Sequence, residues 1–305
     1  MISRKELGYV SSWARKVPYP GDAYCEETML KLKKAVELFN HYYNNTKYNI
    51  TFSNNEEIEL EILANNIAHM LGLDFKNLTS LQLSDFRKTI LDIDPNQYIT
   101  SYALLESIIE NYEKVINFDK TSEYLKALNY YKISVKSDIF SKLGDLANFK
   151  FGCINFDKDK FTDNADRHFN PRSNKFLYIP SDEAVSPYFL IGILQKDAQI
   201  NIDEKDSEEI EVLNTPYIVE TAFAPDDPKS FFKNQEVVIP TQVLKDNNKE
   251  LIRVTATPTQ KKDLLKEYRT IITQYNLDNR INIYNDYFSM LSEEEKKLSL
   301  EKNTN

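Results

Sequence analysis

Two different periods of hydrophobic and polar positions run along this 305-residue chain, and the change comes near Phe149. Before that residue, apolar side chains recur at steps of three and four, which predicts helices. After it, short segments alternate apolar and polar residues, which predicts strands. The clearest amphipathic helix is the segment SYALLESIIENYEKVI. The strand candidates are FKFGCINF, KFLYIP, YFLIGILQ, PYIVETAF and EVVIP.

The first part of the chain predicts a helix, a hairpin and a second helix. Apolar residues at helical spacing cover 26–40, and two alternating segments at 48–52 and 58–62 flank the loop SNNEE. Alternating segments joined by an Asn-rich loop are typical of a β-hairpin. A short helix is predicted over 64–71, with Gly72 as the residue that ends it.

These elements predict an α+β fold with an antiparallel sheet, an N-terminal helix–hairpin–helix element and a helical insertion. The predicted organisation is an N-terminal arm over 1–29 and an α+β domain over 30–245 that contains the helical insertion at 77–147. A C-terminal helical segment over 246–290 and a tail over 291–305 complete it.

Composition narrows the classes of function. The net charge of −9 gives no general electrostatic attraction to nucleic acid, so an RNA site must be a local basic patch. No apolar run approaches the length of a membrane span, and the two cysteines are too few for a disulfide framework, which predicts a cytoplasmic protein without a membrane partner. The three histidines lack metal spacing and the phosphate-loop motifs are missing, so neither a metal site nor a cofactor is predicted.

His69 is the first candidate for chemistry, because a histidine can exchange protons near neutral pH. It lies in the short helix that directly follows the second strand, and at this strand–helix junction it could act as a general acid or base lining a cleft. The alternative is a histidine that packs under the sheet and bonds one backbone carbonyl.

A basic cluster lies in the segment DRHFNPRSNKFLYIP and supplies the second set of candidates. Fixed cations bind phosphate, and arginine does so best through its planar fork. The alternative is a solvated loop between two strands, since Asn, Asp, Ser and Pro dominate here. The candidate residues are Arg167, His168, Arg172 and Lys175, followed by Tyr178.

The strand PYIVETAF offers a third candidate. Glu220 and Thr221 are consecutive, so strand alternation predicts that only one of them faces a cleft. A hydroxyl or carboxylate at this position could orient a phosphate or a 2′-OH. The alternative is ordinary polar alternation on an outward face.

The segment NNIAHMLGL, preceded by the hairpin YNITFSNNEEIELEI, resembles the phage-associated barnase–EndoU–colicin–RelE-like (BECR) nuclease families, in particular the fourth phage group. Members of that group carry a strand–helix element that reads roughly N-x-x-H-L-x-G. Asn66, His69, Met70 and Gly72 stand at those positions.

Two later strands extend the resemblance over about residues 30–245. YFLIGIL and YIVETAF are similar to consecutive family strands, the second of which often reads Y-x-P-x-S/T-F. Tyr217, Thr221 and Phe223 match that pattern, whereas Val219 replaces the proline.

The resemblance implies metal-independent RNA cleavage by attack of a 2′-OH. That reaction needs a base, an acid and cations at the scissile phosphate. The resemblance assigns proton transfer to His69 and a polar strand-end role to Thr221. Asn66 lies three residues before His69 on the same helix face, where it could position a phosphate or the histidine ring. The basic cluster, chosen on its own residues, adds His168 as a catalytic candidate and its cations, with Tyr178, as RNA-binding candidates.

Two other functions stay open at this point. A catalytically silent member of the fold could serve a phage or mobile element by binding a protein. The partner would be an antitoxin or a host complex that binds nucleic acid or acts in defence. The negative charge of this chain would be complementary to a basic groove on such a partner. The chain could also be an unrelated α+β domain. Convergence of His69, Thr221 and the cations of 167–175 on one cleft would favour the nuclease, and a buried His69 would favour the interaction protein.

Overall fold

The computed structural model describes residues 19–73, 80–121, 128–161, 172–181, 186–195, 216–225, 227–247 and 250–275. Over this part of the chain the fold is α+β, with eight α-helices and one nine-stranded sheet. None of these helices combines the length and apolar character that crossing a membrane requires. The helices are α1 (Asp22–Tyr42), α2 (Ala64–Met70), α3 (Ser80–Asp85), α4 (Ser101–Glu110), α5 (Tyr112–Thr121), α6 (Tyr130–Leu143), α7 (Pro228–Phe232) and α8 (Pro258–Tyr275). The strands are β1 (Lys47–Phe52), β2 (Glu57–Glu61), β3 (Gly152–Asn155), β4 (Lys175–Pro180), β5 (Tyr188–Gln195), β6 (Tyr217–Phe223), β7 (Glu236–Val238), β8 (Pro240–Asp246) and β9 (Leu251–Thr255).

The sheet is mixed, so the prediction of an antiparallel sheet is wrong at one place. The strand order is β7-β3-β4-β5-β6-β2-β1-β8-β9, and β2 pairs with β6 in parallel. All other neighbours pair antiparallel. The β2–β6 contact joins two strands that are distant in the sequence, and a local alternation pattern carries no information on their relative direction.

The two ends of the strand order approach each other because the sheet curls. The turn between β1 and β2 bonds to the β7–β8 junction, where the Ser53 N–H donates to the Ile239 carbonyl at 2.9 Å. Asn54 in the same turn donates from Nδ2 to Oε1 of Glu236 on β7 at 3.1 Å. One hairpin turn therefore reaches a strand at the far end of the sheet order.

Helices cover the two faces of the sheet in different places. On one face, Tyr43 at the end of α1 contacts the rings of Tyr48 on β1 and Phe140 on α6. On the other face, Phe232 of α7 contacts Tyr178 of β4 and the Tyr275 ring of α8. Helices α1 and α6 belong to the main helical layer, and α7 with α8 covers the opposite side of the sheet at β4 and β5.

Two local predictions need correction. The amphipathic segment that begins at Ser101 forms two helices, because Asn111 lies between them and donates its side-chain Nδ2–H to the Ser107 carbonyl at 2.9 Å. Strands β8 and β9 lie where no strand was predicted. Most residues of β9 are exposed, so its sequence lacks the apolar alternation that marks a half-buried strand.

Candidate functional site

A β-bulge on β6 brings Glu220 and Thr221 to one place. Gly192 of β5 pairs with Thr221, and Ile193 pairs with Val219, so Glu220 is the extra residue on β6. A Cβ placed on Gly192 would lie 2.9 Å from Cγ2 of Thr221 and 2.7 Å from Oγ of Ser173. Bulges occur often beside active sites, where they redirect a side chain.

Ser173 connects the Glu220 carboxylate to that same space. Its buried hydroxyl donates to Oε2 of Glu220 at 2.6 Å. Glu220 and Thr221 therefore both lie near Gly192, although strict alternation places them on opposite faces of the strand. The inserted residue interrupts that alternation.

Arg172 completes this group, which we name the Glu220 cluster: Arg172, Ser173, Glu220 and Thr221. The Arg172 Nε–H donates to Oε1 of Glu220 at 2.6 Å. The Arg172 side chain is 78% exposed and that of Glu220 is 18% exposed. Among described residues, Arg172 forms no other hydrogen bond, so its two terminal NH2 groups are accessible to a ligand.

Lys175 lies in a second polar group, which we name the Lys175 network: Glu56, Asn155, Lys175 and Glu236. The Glu56 carboxylate neutralises the charge of Lys175. The Lys175 Nζ donates to Oε1 of Glu56 at 2.6 Å and to Oδ1 of Asn155 at 2.5 Å, and it lies 5.9 Å from the centre of the Tyr217 ring. The side chain is only 8% exposed. The Lys175 ammonium therefore forms its contacts within the protein interior.

The same network fixes the hairpin turn to β3 and β7. Asn155 donates from Nδ2 to Glu56 Oε2 at 3.1 Å and to Glu236 Oε2 at 2.7 Å. Burial acts to raise the pKa of the Glu56 carboxyl, but the hydrogen bond and charge of Lys175, together with hydrogen bonds from Asn155 and Asn54, outweigh it and hold the pKa below its usual value. Burial raises the pKa of the neighbouring Cys153 thiol to about 12, so that thiol stays protonated at neutral pH.

Tyr178 is a core residue. It is 2% exposed and its ring contacts Tyr188 and Phe232 edge to face. The ring also lies directly over Gly152, where an added Cβ would come within 2.1 Å of the Tyr178 hydroxyl. Burial raises the pKa of the Tyr178 phenol well above its usual value. The side chain is enclosed on the side of the sheet that α7 covers.

His69 and Asn66 lie on α2, and among the described residues neither forms a hydrogen bond or ion pair with the Glu220 cluster. Ile67, Ala68 and Met70 form the buried side of α2, whereas His69 is exposed and Asn66 is half-buried. The helix ends in the predicted way at Gly72.

The backbone geometry at the C-terminus of α2 explains why residue 72 is a glycine. Gly72 has φ of 86°, and its N–H and that of Leu73 donate to the carbonyls of His69 and Ala68. This is a Schellman motif, which favours a glycine at the left-handed position. A Cβ on Gly72 would contact Lys132 and the backbone of Ile133 on α6, so the end of α2 packs in the helical layer.

Thr221 lies on the other side of the sheet from that layer. It is two residues before Phe223, whose ring contacts Phe176 and the Phe231 ring of α7. The sheet therefore separates His69 from Thr221. Of the predicted site residues, the structure brings together Arg172 and Thr221, and Arg167 and His168 lie outside the described residues.

Four residues of these two groups were not selected from the sequence: Glu56, Asn155, Ser173 and Glu236. Their partners are distant in the sequence, for example 99 residues apart for Asn155 and Glu56 and 47 for Ser173 and Glu220. No short motif signals such pairs. In the part of the chain that the structure describes, no group of three or more His, Cys, Asp or Glu side chains is arranged to hold a metal ion.

Comparisons with known proteins do not add to this geometry: no family model, no curated protein and no solved structure matches the chain.

Proposed function

We propose that this protein is a ribonuclease-like protein that cleaves RNA by 2′-OH attack without a metal ion, and that the Glu220 cluster is its site. The observation that carries the proposal is a carboxylate held at a bulge by a buried hydroxyl, beside an arginine that is 78% exposed. A base and a phosphate-binding cation are thus adjacent, and these are two of the three groups that this reaction needs.

In this proposal Glu220 is the general base. Its carboxylate takes the proton of the ribose 2′-OH, and the 2′-oxygen forms a bond to the adjacent phosphorus. The bond from phosphorus to the 5′-oxygen breaks, which leaves a 2′,3′-cyclic phosphate and a 5′-oxygen that takes up a proton. Ser173 positions the carboxylate through the hydrogen bond to Oε2.

Arg172 has the electrostatic role. Its Nε holds Glu220, and its terminal NH2 groups can donate to the phosphate oxygens as negative charge develops on them. Thr221 is the next residue on β6, and in this proposal its hydroxyl interacts with a phosphate oxygen or with the 2′-OH. His168 remains a catalytic candidate predicted from the sequence and lies outside the described residues, and the proposal assigns no chemistry to His69.

The wider sequence predictions belong to the same proposal. We take α1, the β1–β2 pair and α2 as the N-terminal helix–hairpin–helix element of a BECR-like domain. A cytoplasmic protein of a phage or mobile element, with RNA as its substrate, is consistent with that assignment.

The test is incubation of bulk cellular RNA in EDTA with the wild type, Glu220→Gln and Arg172→Gln. Loss of a general base lowers the rate by about 10²–10⁴-fold. Glu57→Gln on β2 and Arg253→Gln on β9 are matched controls, because both residues are exposed on the same sheet. Cleavage that survives in Glu220→Gln at the wild-type rate rejects the assignment, and thermal melts verify that the variants are folded.

A second candidate function rests on a different observation, the acidic outer face of β2. Glu57, Glu59 and Glu61 alternate with buried apolar residues, and Lys47 of β1 pairs with both Glu59 and Glu61, at 2.9 and 3.1 Å. Three carboxylates against one ammonium leave a negative strip, which could occupy the basic nucleic-acid groove of another protein.

This second function predicts binding rather than cleavage. A fluorescent poly-lysine peptide should bind the wild type with a strong dependence on salt concentration. The triple variant with Gln at positions 57, 59 and 61 should lose that binding, whereas Glu113→Gln on α5 should keep it. Equal binding by the two variants would remove the strip from consideration.

A further inference from the structure

Strand β9 is an open edge of the sheet. Within the described part of the chain it pairs with β8 on one side, and no strand follows it in the strand order on the other. The opposite end of that order, β7, is partly covered, because the β1–β2 turn bonds there to Glu236 and Ile239. An unpaired edge presents a row of backbone N–H and C=O groups that can pair with another strand.

The side chains of β9 are accessible to solvent. Leu251 is 62% exposed and Ile252 is 38% exposed, and Arg253 beside them is exposed too. Consecutive strand residues point to opposite faces, so Leu251 and Ile252 leave an apolar group on each face of the edge. Proteins commonly protect an edge strand with charged residues, so two exposed apolar residues in a row indicate that another strand covers this edge.

A second copy of β9 is complementary to this edge. A two-fold axis perpendicular to the sheet would pair β9 antiparallel with itself, as in other symmetric dimers whose interface uses the same patch twice. Such an axis keeps each residue on the same face in both copies, and directly opposed residues also share a face. The axis must therefore pass where one residue lies opposite itself, and the centre of β9 offers three choices: Ile252, Arg253 and Val254.

Charge and burial select Ile252 as the residue on the axis. An axis at Arg253 would set two guanidinium groups directly opposite each other, which is unfavourable. An axis at Val254 would place Ile252 opposite Ala256, which is buried and lies beyond the end of β9. An axis at Ile252 sets the two isoleucines side by side and covers Leu251 with the long side chain of Arg253 from the other copy.

The same register brings opposite charges together. Leu251 pairs with Asp246 of β8, so the two side chains share a face. Arg253 of one copy would lie opposite Leu251 of the other and two strands away from Asp246 of that copy, about 10 Å between Cα atoms at the usual strand spacing. The arginine can extend over Leu251 toward the Asp246 carboxylate, and the symmetry forms this contact twice.

We propose that β9 is a homodimer interface, in which two copies of the chain pair edge to edge about Ile252 and form one continuous sheet. Two five-residue strands bury less surface than a standard interface, so the dimer is reversible, with a dissociation constant on the order of 10–100 μM. The Glu220 cluster includes no residue of β8 or β9, so this inference is independent of the proposed RNA cleavage.

Sedimentation velocity of the full chain, from about 5 to 500 μM, tests the association. Ile252→Lys puts two ammonium groups opposite each other on the axis and should weaken the dimer by at least about ten-fold. Leu30→Lys on α1 is the matched control, since Leu30 is 63% exposed and lies on a different element. This variant should associate like the wild type.

Disulfide trapping tests the register. The native Cys25 and Cys153 are both fully buried, so an introduced surface thiol reacts in their place. Two cysteines at position 252 would face each other with Cβ atoms about 4.5–5.5 Å apart, whereas two at position 251 would lie diagonally, about 7–8 Å apart. Mild oxidation with diamide should therefore cross-link Ile252→Cys faster than Leu251→Cys. Random collisions would give the reverse order, because Leu251 is the more exposed residue.

Three results would overturn the proposal: a wild type that is monomeric at every concentration, an equal loss of association in Ile252→Lys and Leu30→Lys, or cross-linking of Leu251→Cys at least as fast as that of Ile252→Cys. A monomeric wild type would exclude the second copy and leave a strand of a different protein as the occupant of this edge. Thermal melts of each variant verify that it is folded.

Discussion

The Lys175 network makes a quantitative prediction about stability, with Glu56→Gln as the perturbation. The change keeps the size of the side chain but removes the charge that faces Lys175, whose side chain is 8% exposed. Breaking a fully buried pair costs about 3–5 kcal/mol, and a surface pair contributes about 1 kcal/mol or less. Glu56 is 30% exposed, and Lys175 keeps Asn155 and the Tyr217 ring, so we expect a loss of about 2 kcal/mol of unfolding free energy.

The pH dependence of the same variant checks the cause. The folded state lowers the pKa of Glu56 from its ordinary value of 4.5, so the unfolded chain binds a proton first as the pH falls. The stabilisation is therefore complete above pH 4.5 and is lost as the pH falls through the lowered pKa. Wild type and Glu56→Gln should differ most at neutral pH and converge in acid.

Urea unfolding at several pH values, followed by circular dichroism, measures both effects. Glu57→Gln is the matched control, because Glu57 is the next residue, is exposed and, among the described residues, accepts a single side-chain hydrogen bond, from Thr51 at 3.3 Å. If Glu56→Gln costs no more than Glu57→Gln at neutral pH, or if its deficit does not shrink in acid, then Lys175 and Glu56 do not stabilise the fold in this way.

Further predictions concern the glycines and His69. Gly192→Ala places a methyl group 2.7 Å from Ser173 Oγ, so we expect a loss of about 1–3 kcal/mol in urea unfolding and slower RNA cleavage, because the support of the carboxylate is displaced. Gly152→Ala meets the Tyr178 ring at 2.1 Å and should lower the melting temperature more than Gly192→Ala does; an equal or smaller effect would contradict the packing. His69→Gln should leave cleavage unchanged, since the residue is exposed and the proposal gives it no chemistry; a loss of cleavage in a folded variant would reject that assignment.

The sequence predicts the elements of this fold better than their arrangement. The five predicted strands after Phe149 are all present, because each pairs a buried apolar face with turn residues at its ends. The parallel contact of Leu60 with Tyr217 depends on how distant segments meet, and no local pattern encodes it. Gly72 was predictable from its position, since a helix that ends in a left-handed residue favours glycine.

The candidate site was also predicted only in part, because its residue types are visible in the sequence and their contacts are not. The basic residues near 170 are visible in the sequence, but their roles depend on partners from other strands. Lys175 is neutralised by Glu56, whereas Arg172 is exposed beside Glu220, and the sequence does not distinguish the two cations. The bulge at Glu220 is likewise invisible to alternation, because one inserted residue in a strand has no characteristic composition.

The proposed cleavage chemistry is tested most directly with one substrate. A DNA oligonucleotide that contains a single ribonucleotide is incubated with the protein in EDTA, and the products are analysed by mass spectrometry. The account predicts one cut, directly after the ribonucleotide, that leaves a 2′,3′-cyclic phosphate, and it predicts that Glu220→Gln does not make this cut. Failure of the wild type to cut, or the same cut at the same rate by Glu220→Gln, would contradict the account.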